Sequence, residues 1–172
     1  TYFIDLMYCG RFTYLVAIEG NSRYIYAIMT NVSTRDGRVI VTGSKNTRRY
    51  LTALTSMMEQ GMKPRYIIGD DENAFKSEEA NTFYRENNIE FIPVLRMRTN
   101  YSAKHETDSD ETPDTVPYHT SLALVDRVIR TIRDMVYNLE IPQTKLNQNV
   151  MDWILLEYNN SYHKTLSKFA GF

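Results

Sequence analysis

The hydrophobic pattern of this chain changes from short extended runs to helical periodicity near residue 46. Before that point, β-rich apolar runs at 2–7, 14–18 and 24–29 are separated by short polar turns. This arrangement is typical of antiparallel strands joined by turns. The following stretch, 33–44, contains Asp36-Gly37. It predicts a loop with room for a small hairpin.

Beyond residue 46, predicted helices alternate with predicted strands. Apolar residues recur at spacings of three and four in 46–60 and 120–137, and helices are also predicted at 77–86 and 148–158. Short apolar strands are predicted at 66–68 and 89–94. The predicted order up to residue 94 is α/β: three strands, a helix, a strand, a helix and a strand. This order favours a mixed sheet with helical crossovers over a helical bundle or a β-sandwich.

Composition sets the broad class of the protein. The length of 172 residues predicts a single domain over 1–172. Lys and Arg number 20 against 21 Asp and Glu, which argues against a uniformly basic coat but allows a local basic groove. The single cysteine, Cys9, excludes a disulfide framework and a multi-cysteine zinc site. No apolar run is long enough to cross a membrane, so we expect an intracellular protein.

The stretch 96–118 has no hydrophobic period. It begins basic and then becomes acidic, and its acidic residues are Glu106, Asp108, Asp110, Glu111 and Asp114. An irregular segment of this length indicates a functional or mobile loop, and a disordered insertion is an equal alternative.

Three acids occur where apolar packing would favour another residue. Asp5 interrupts a strand expected to be central, and a buried carboxylate needs a donor or a cation. Asp70 directly follows the strand at 66–69, and ligand sites gather at such strand ends. Asp126 shares a helix face with Arg130 and Arg133, opposite an apolar stripe.

Each acid alone has an ordinary structural explanation, as a cap or an ion-pair partner. Around one pocket, however, three carboxylates would suit Mg²⁺, and two such ions can act on the attacking and leaving oxygens of a phosphoryl transfer. The basic face beside Asp126 would then meet a phosphate backbone. The residues therefore favour metal-dependent phosphodiester chemistry, with the structural explanation still open.

Four segments resemble the retroviral-type integrase catalytic core. The opening YFIDLM…YLVAIEGNSRYIYAI is similar to the family's first three strands, and 69–75 (GDDENAF) to its (S/T)DNGxxF segment, whose first Asp is catalytic. The stretch 119–133 resembles its VERFNRTL helix, and 158–166 its YNxxxHxxL signature. The likeness is nearer to integrases of Maverick/Polinton-type transposons and virophages than to those of retroviruses.

The resemblance implies a ribonuclease H-like fold, with a five-stranded mixed sheet flanked by helices. It implies 3′-end processing and strand transfer of element DNA into target DNA, with two Mg²⁺ (or Mn²⁺) ions. The implied partners are double-stranded DNA, from element ends and target, and a second core in a dimer. The implied location is the host nucleus or a viral particle or factory. The implied metal-binding catalytic residues are Asp5, Asp70 and Asp126, and the implied DNA contacts are Arg127, Arg130, Arg133 and Lys164.

Two departures from the family pattern affect this expectation. Asp126 stands where the family has Glu, one methylene longer, so the helix must lie nearer the metals or activity is impaired. The gap between Asp70 and Asp126 is also longer than usual and contains the acidic stretch. Two alternatives remain open: a ribonuclease H-like nuclease that cuts without joining, and a non-catalytic, domesticated DNA- or protein-binding module.

Overall fold

The computed structural model describes residues 1–36, 38–41, 46–94, 118–142 and 145–169, without the side chains of 32–35, 38–41, 118–121 and 162–169. In chain order, its elements are β1 (Tyr2–Cys9), β2 (Phe12–Glu19), β3 (Ile25–Met29), β4 (Val32–Arg35), β5 (Arg38–Val41), α1 (Thr47–Glu59), β6 (Tyr66–Asp70), α2 (Asn73–Lys76), α3 (Glu78–Glu86), β7 (Glu90–Val94), α4 (Tyr118–Asn138) and α5 (Gln148–Phe169).

The central sheet has five strands in the order β3-β2-β1-β6-β7. The pairs β1–β2 and β2–β3 are antiparallel, whereas β1–β6 and β6–β7 are parallel. Parallel neighbours require long crossovers, and helices α1 to α3 lie in those connections. The predicted mixed sheet is therefore confirmed, and β4 and β5 form the small hairpin expected within 33–44.

Side-chain alternation along the central strands creates one core on each face of the sheet. In β2, Tyr14 and Val16 pack with α4 and α5, whereas Leu15 and Ala17 pack with α1, α2 and α3. Because both faces of β2 are covered, nearly every residue of this strand is buried. The sheet thus lies between two layers of helix, as predicted.

Local chemistry sets most helix ends close to the predicted positions. The Asn46 side chain accepts the N–H of Arg48 at the start of α1, and Gly61 follows its end with a φ of 109°. The Ser77 hydroxyl accepts the N–H of Ala80 in α3. The short helix α2 was missed because four residues carry no detectable period. The irregular stretch predicted at 96–118 lies outside the described residues except for Tyr118, which is helical.

The predicted end of the last helix at residue 158 is wrong, because α5 continues to Phe169. Its side chains cover the free edge of β3. Asn159 accepts the N–H of Ile25 at 2.9 Å and donates to its carbonyl at 3.1 Å. Gln148 accepts the N–H of Met29 at 2.8 Å and donates to the carbonyl of Ala27 at 2.9 Å. These bonds satisfy backbone groups of an edge strand and attach α5 to it.

Within the part of the chain that the structure describes, no helix is long and apolar enough to span a membrane.

Candidate active site

Strand register brings Asp5 and Asp70 to the same level of the sheet. Ile4 pairs with Gly69 in the parallel β1–β6 ladder, so the next residue of each strand is an aspartate. Side chains alternate along a strand, and Met7 and Ile68 both face the core formed with α4 and α5. Asp5 and Asp70, two residues from these, therefore point to that same face.

Helix α4 crosses this face and adds the third predicted acid. Val125 and Ile132 are fully buried against the sheet, while Asp126 and Arg130 lie on the exposed side of the helix. The three predicted acids line one pocket of about 490 Å³. We call it the carboxylate pocket, and its lining is Asp5, Leu6, Tyr8, Asp70, Glu72, Asp126, Ile129, Arg130, Arg133 and Asp134.

The acids differ in burial, and backbone donors orient two of them. Asp5 is only 9% exposed and accepts the N–H of Leu6 at 2.8 Å, so this buried carboxylate has the donor that the sequence required. Asp70 is half-buried and accepts the N–H of Asp71 at 2.8 Å. Asp126 is exposed. The pocket therefore has a buried, fixed end on the sheet and an open end on α4.

A glycine allows the two strands to approach beside these acids. A Cβ on Gly69 would lie 2.9 Å from Cγ1 of Ile4 and 3.2 Å from Cε2 of Phe91. Real Cβ contacts are rarely this short, so any larger residue would push β6 away from its neighbours. Gly69 thus helps to set the spacing between Asp5 and Asp70.

Two of the four predicted DNA contacts lie beside the acids. Arg130 and Arg133 line the carboxylate pocket. Arg127 instead lines a separate groove with Phe3 and Arg23, because one residue along a helix turns the side chain by about 100° from Asp126. Lys164 lies in α5, and its side chain is outside the described residues.

The pocket also contains Tyr8, Glu72 and Asp134, which the sequence analysis did not single out. Asp134 could have been found by helical spacing, since it follows Asp126 by two turns on the same face. Glu72 stands two residues after Asp70, at the start of α2. The adjacent Asp71 forms an ion pair with Lys76 and is outside the lining of this pocket.

The carboxylate pocket has the donor atoms that a divalent cation needs, but their present arrangement does not form a metal site. Carboxylate oxygens are the donors that Mg²⁺ prefers, and Asp5 and Asp70 are neighbours by register. Among the described residues, however, no group of three or more His, Cys, Asp or Glu side chains is arranged so that it could hold a metal ion. The donor set therefore fits Mg²⁺, but its side chains must move closer together to form a three-carboxylate site.

No family model matches this sequence, and no curated protein matches it either. Solved structures do. The chain is similar to the catalytic core domain of BIV integrase, with 15% identity, a TM-score of 0.52, and coverage of 82% of this chain and 72% of that one. It is also similar to the HTLV-2 integrase catalytic core domain in complex with magnesium (dimeric form), with 16% identity, a TM-score of 0.56, and coverage of 90% and 81%. The fold is that of a retroviral integrase catalytic core.

A longer relative of this fold is the chain of the simian T-cell lymphotropic virus intasome in complex with PP2A regulatory subunit B56 gamma. It is 14% identical, with a TM-score of 0.60, and the match covers 90% of this chain but 46% of that one. The present chain therefore spans about half the length of that matched chain. At these identities the likeness shows the fold, and the carboxylate pocket is the feature that bears on activity.

Proposed function

We propose that this chain is the catalytic core of a DNA integrase, which processes the 3′ ends of element DNA and transfers them into target DNA. The observation that carries the proposal is the carboxylate pocket, where Asp5, Asp70 and Asp126 meet on an integrase-core fold. The middle of β1, the end of β6 and the crossing helix α4 supply the three acids, and two arginines stand beside them.

In this proposal Asp5, Asp70 and Asp126 hold two Mg²⁺ or Mn²⁺ ions. Bound ions would activate the attacking oxygen and stabilise the leaving oxygen of the phosphodiester. The magnesium complex of the HTLV-2 core supports this choice of cofactor. Arg130 and Arg133 bind the DNA phosphates at the mouth of the pocket. Arg127, which lines a separate groove, and Lys164 are the other two proposed DNA contacts.

The third ligand is the least complete part of the site. Asp126 is exposed, and its side chain is one methylene shorter than Glu. We therefore propose that the Asp126 side chain turns toward Asp5 and Asp70 when the ions and DNA bind. In that case Asp126→Glu raises strand transfer, because the longer side chain reaches the ions without this movement.

The proposed partners are double-stranded DNA from element ends and target, and a second copy of the core. The dimeric form of the HTLV-2 core supports a dimer, and Trp153 on α5 offers an apolar surface that is 51% exposed. Within the integrases, we propose a Maverick/Polinton or virophage element as the source. We propose the host nucleus or a viral particle or factory as the location.

A strand-transfer assay with pre-processed DNA ends tests the proposal. We expect joining that depends on Mg²⁺ or Mn²⁺ and that Asp70→Asn abolishes. Asp71→Asn is the matched control, because Asp71 pairs with Lys76 outside the pocket. Cutting without joining would indicate a nuclease instead. DNA binding that needs no metal, with neither cutting nor joining, would indicate a non-catalytic module and would overturn the proposal.

A further inference from the structure

A second pocket adjoins the carboxylate pocket. It has a volume of about 700 Å³ and lies between the β1–β2 turn and the C-terminal end of α4. Tyr8, Arg133 and Asp134 line both pockets, so the two form one continuous surface. We call the second one the tyrosine pocket; its lining includes these three residues with Tyr137, Glu140 and Pro142.

Two aromatic side chains of this pocket are open to solvent. Tyr137 is 84% exposed and Tyr8 is 43% exposed, whereas the neighbouring Val136 is buried in the core. A ring as exposed as Tyr137 contributes little to folding, so its face remains available to a flat ligand. Aromatic faces beside a basic groove are the means by which proteins hold unpaired bases.

The charged residues of the tyrosine pocket favour the binding of a base over the binding of a phosphate. Arg133 lines both pockets, so its guanidinium lies at their boundary, where a DNA backbone would pass. Burial raises the pKa of the Cys9 thiol, and the positive charge of Arg133 nearby opposes that rise. The negative charges of Asp134 and Glu140 repel a phosphate from the tyrosine pocket. Their carboxylate oxygens can, however, accept hydrogen bonds from the amino groups of bases.

We propose that the tyrosine pocket binds an unpaired nucleotide of the DNA substrate, next to the phosphodiester in the carboxylate pocket. The base stacks on Tyr137 with Tyr8 at its edge, and its phosphate contacts Arg133. The volume suits this ligand, because small-molecule sites measure about 300–1,000 Å³. The inference rests on the proposed function in one respect, namely that DNA is the substrate.

Binding without divalent metal tests this pocket separately from catalysis. The probe is a duplex with one unpaired 2-aminopurine nucleotide at its end, compared with the same duplex carrying an abasic residue there. We expect the chain to bind the first about tenfold more tightly, since stacking of one base contributes about 1–3 kcal/mol. Tyr137→Ala should bind both DNAs equally, and Tyr137→Phe should keep the preference. Tyr24→Ala is the control, because Tyr24 is partly exposed and outside both pockets.

Equal binding of the two DNAs by the unchanged chain would overturn the inference, as would a preference that survives Tyr137→Ala. A parallel strand-transfer reaction separates the two proposals. If the chain joins DNA but shows no base preference, the tyrosine-pocket inference alone fails. If the preference depends on Tyr137 but no joining occurs, the integrase proposal fails and the tyrosine pocket stands.

Discussion

Two buried tyrosines connect the helices behind the sheet and make an asymmetric prediction about stability. The Tyr84 hydroxyl donates to the carbonyl of Phe75 at 2.8 Å and lies 2.7 Å from the Tyr50 hydroxyl. Tyr84 has only one hydroxyl proton, so Tyr50 must be the donor between them. Tyr50 is 2% exposed and Tyr84 is 3% exposed, so water cannot replace a lost partner.

Tyr84→Phe removes the central hydroxyl and leaves both the Tyr50 hydroxyl and the Phe75 carbonyl without a partner. A buried polar group left in this state costs about 1–3 kcal/mol, so we expect a loss of about 2–4 kcal/mol in the free energy of unfolding. Tyr50→Phe leaves the bond from Tyr84 to Phe75 in place, and its expected cost is about 1 kcal/mol. In the double variant only the Phe75 carbonyl lacks a partner, so its cost should not exceed that of Tyr84→Phe alone.

Urea unfolding followed by circular dichroism at neutral pH measures all three variants. Burial raises the pKa of both Tyr50 and Tyr84, so both hydroxyls are protonated under these conditions. If Tyr50→Phe cost as much as Tyr84→Phe, or if the two losses added in the double variant, the assigned direction of the hydrogen bonds would be wrong. The Phe75 carbonyl belongs to α2, which begins directly after the pocket residue Glu72.

Three further predictions concern the sheet and its edge. Gly69→Ala should cost about 1–3 kcal/mol in urea unfolding, because the new Cβ overlaps Ile4, and it should lower strand transfer further by displacing Asp70; unchanged stability would refute the close approach. Asn159→Ala should lower the free energy of unfolding in urea by about 2 kcal/mol, because both hydrogen bonds to Ile25 are lost. It should also promote aggregation at the exposed β3 edge, measured by light scattering. A soluble variant of full stability would contradict this. Partial burial would raise the pKa of Glu19, but nearby N–H donors outweigh it and lower that pKa. The stabilisation that ionised Glu19 gives the fold is therefore present above about pH 4.5 and lost as the pH falls through the lowered pKa. In unfolding titrations, Glu19→Gln should therefore lose less stability between pH 6 and 3 than the unchanged chain.

The sheet could be predicted because its information is local. The run at 14–18 is apolar over its whole length, the run at 2–7 is apolar except for Asp5, and turn residues separate them. The caps at Asn46 and Ser77 are equally local signals, and they lie within a residue of the helix starts. The extension of α5 beyond residue 158 was not predictable in this way. The polar residues after 158 give no apolar period, and the contact of Asn159 with β3 joins segments that are distant in sequence.

The site was predictable in its acids and less so in its surroundings. Asp5 and Asp70 stand out because they interrupt or end an apolar strand, Asp126 stands out through its resemblance to the family's helix motif, and all three line one pocket. Glu72 and Tyr8 carry no such signal, since an exposed acid or tyrosine near a strand end is ordinary in any sequence. The separation of Arg127 from Arg130 depends on where the surface of α4 meets each groove, and this requires the packed structure.

The central claim is that the three aspartates form a metal-dependent catalytic site. Anomalous diffraction from crystals of the chain grown with Mn²⁺ tests it most directly. We predict density between Asp5 and Asp70, a second peak that includes Asp126, and loss of both peaks in Asp70→Asn but not in Asp71→Asn. Crystals that bind Mn²⁺ only at other positions, with the carboxylate pocket empty at saturating metal, would contradict the claim.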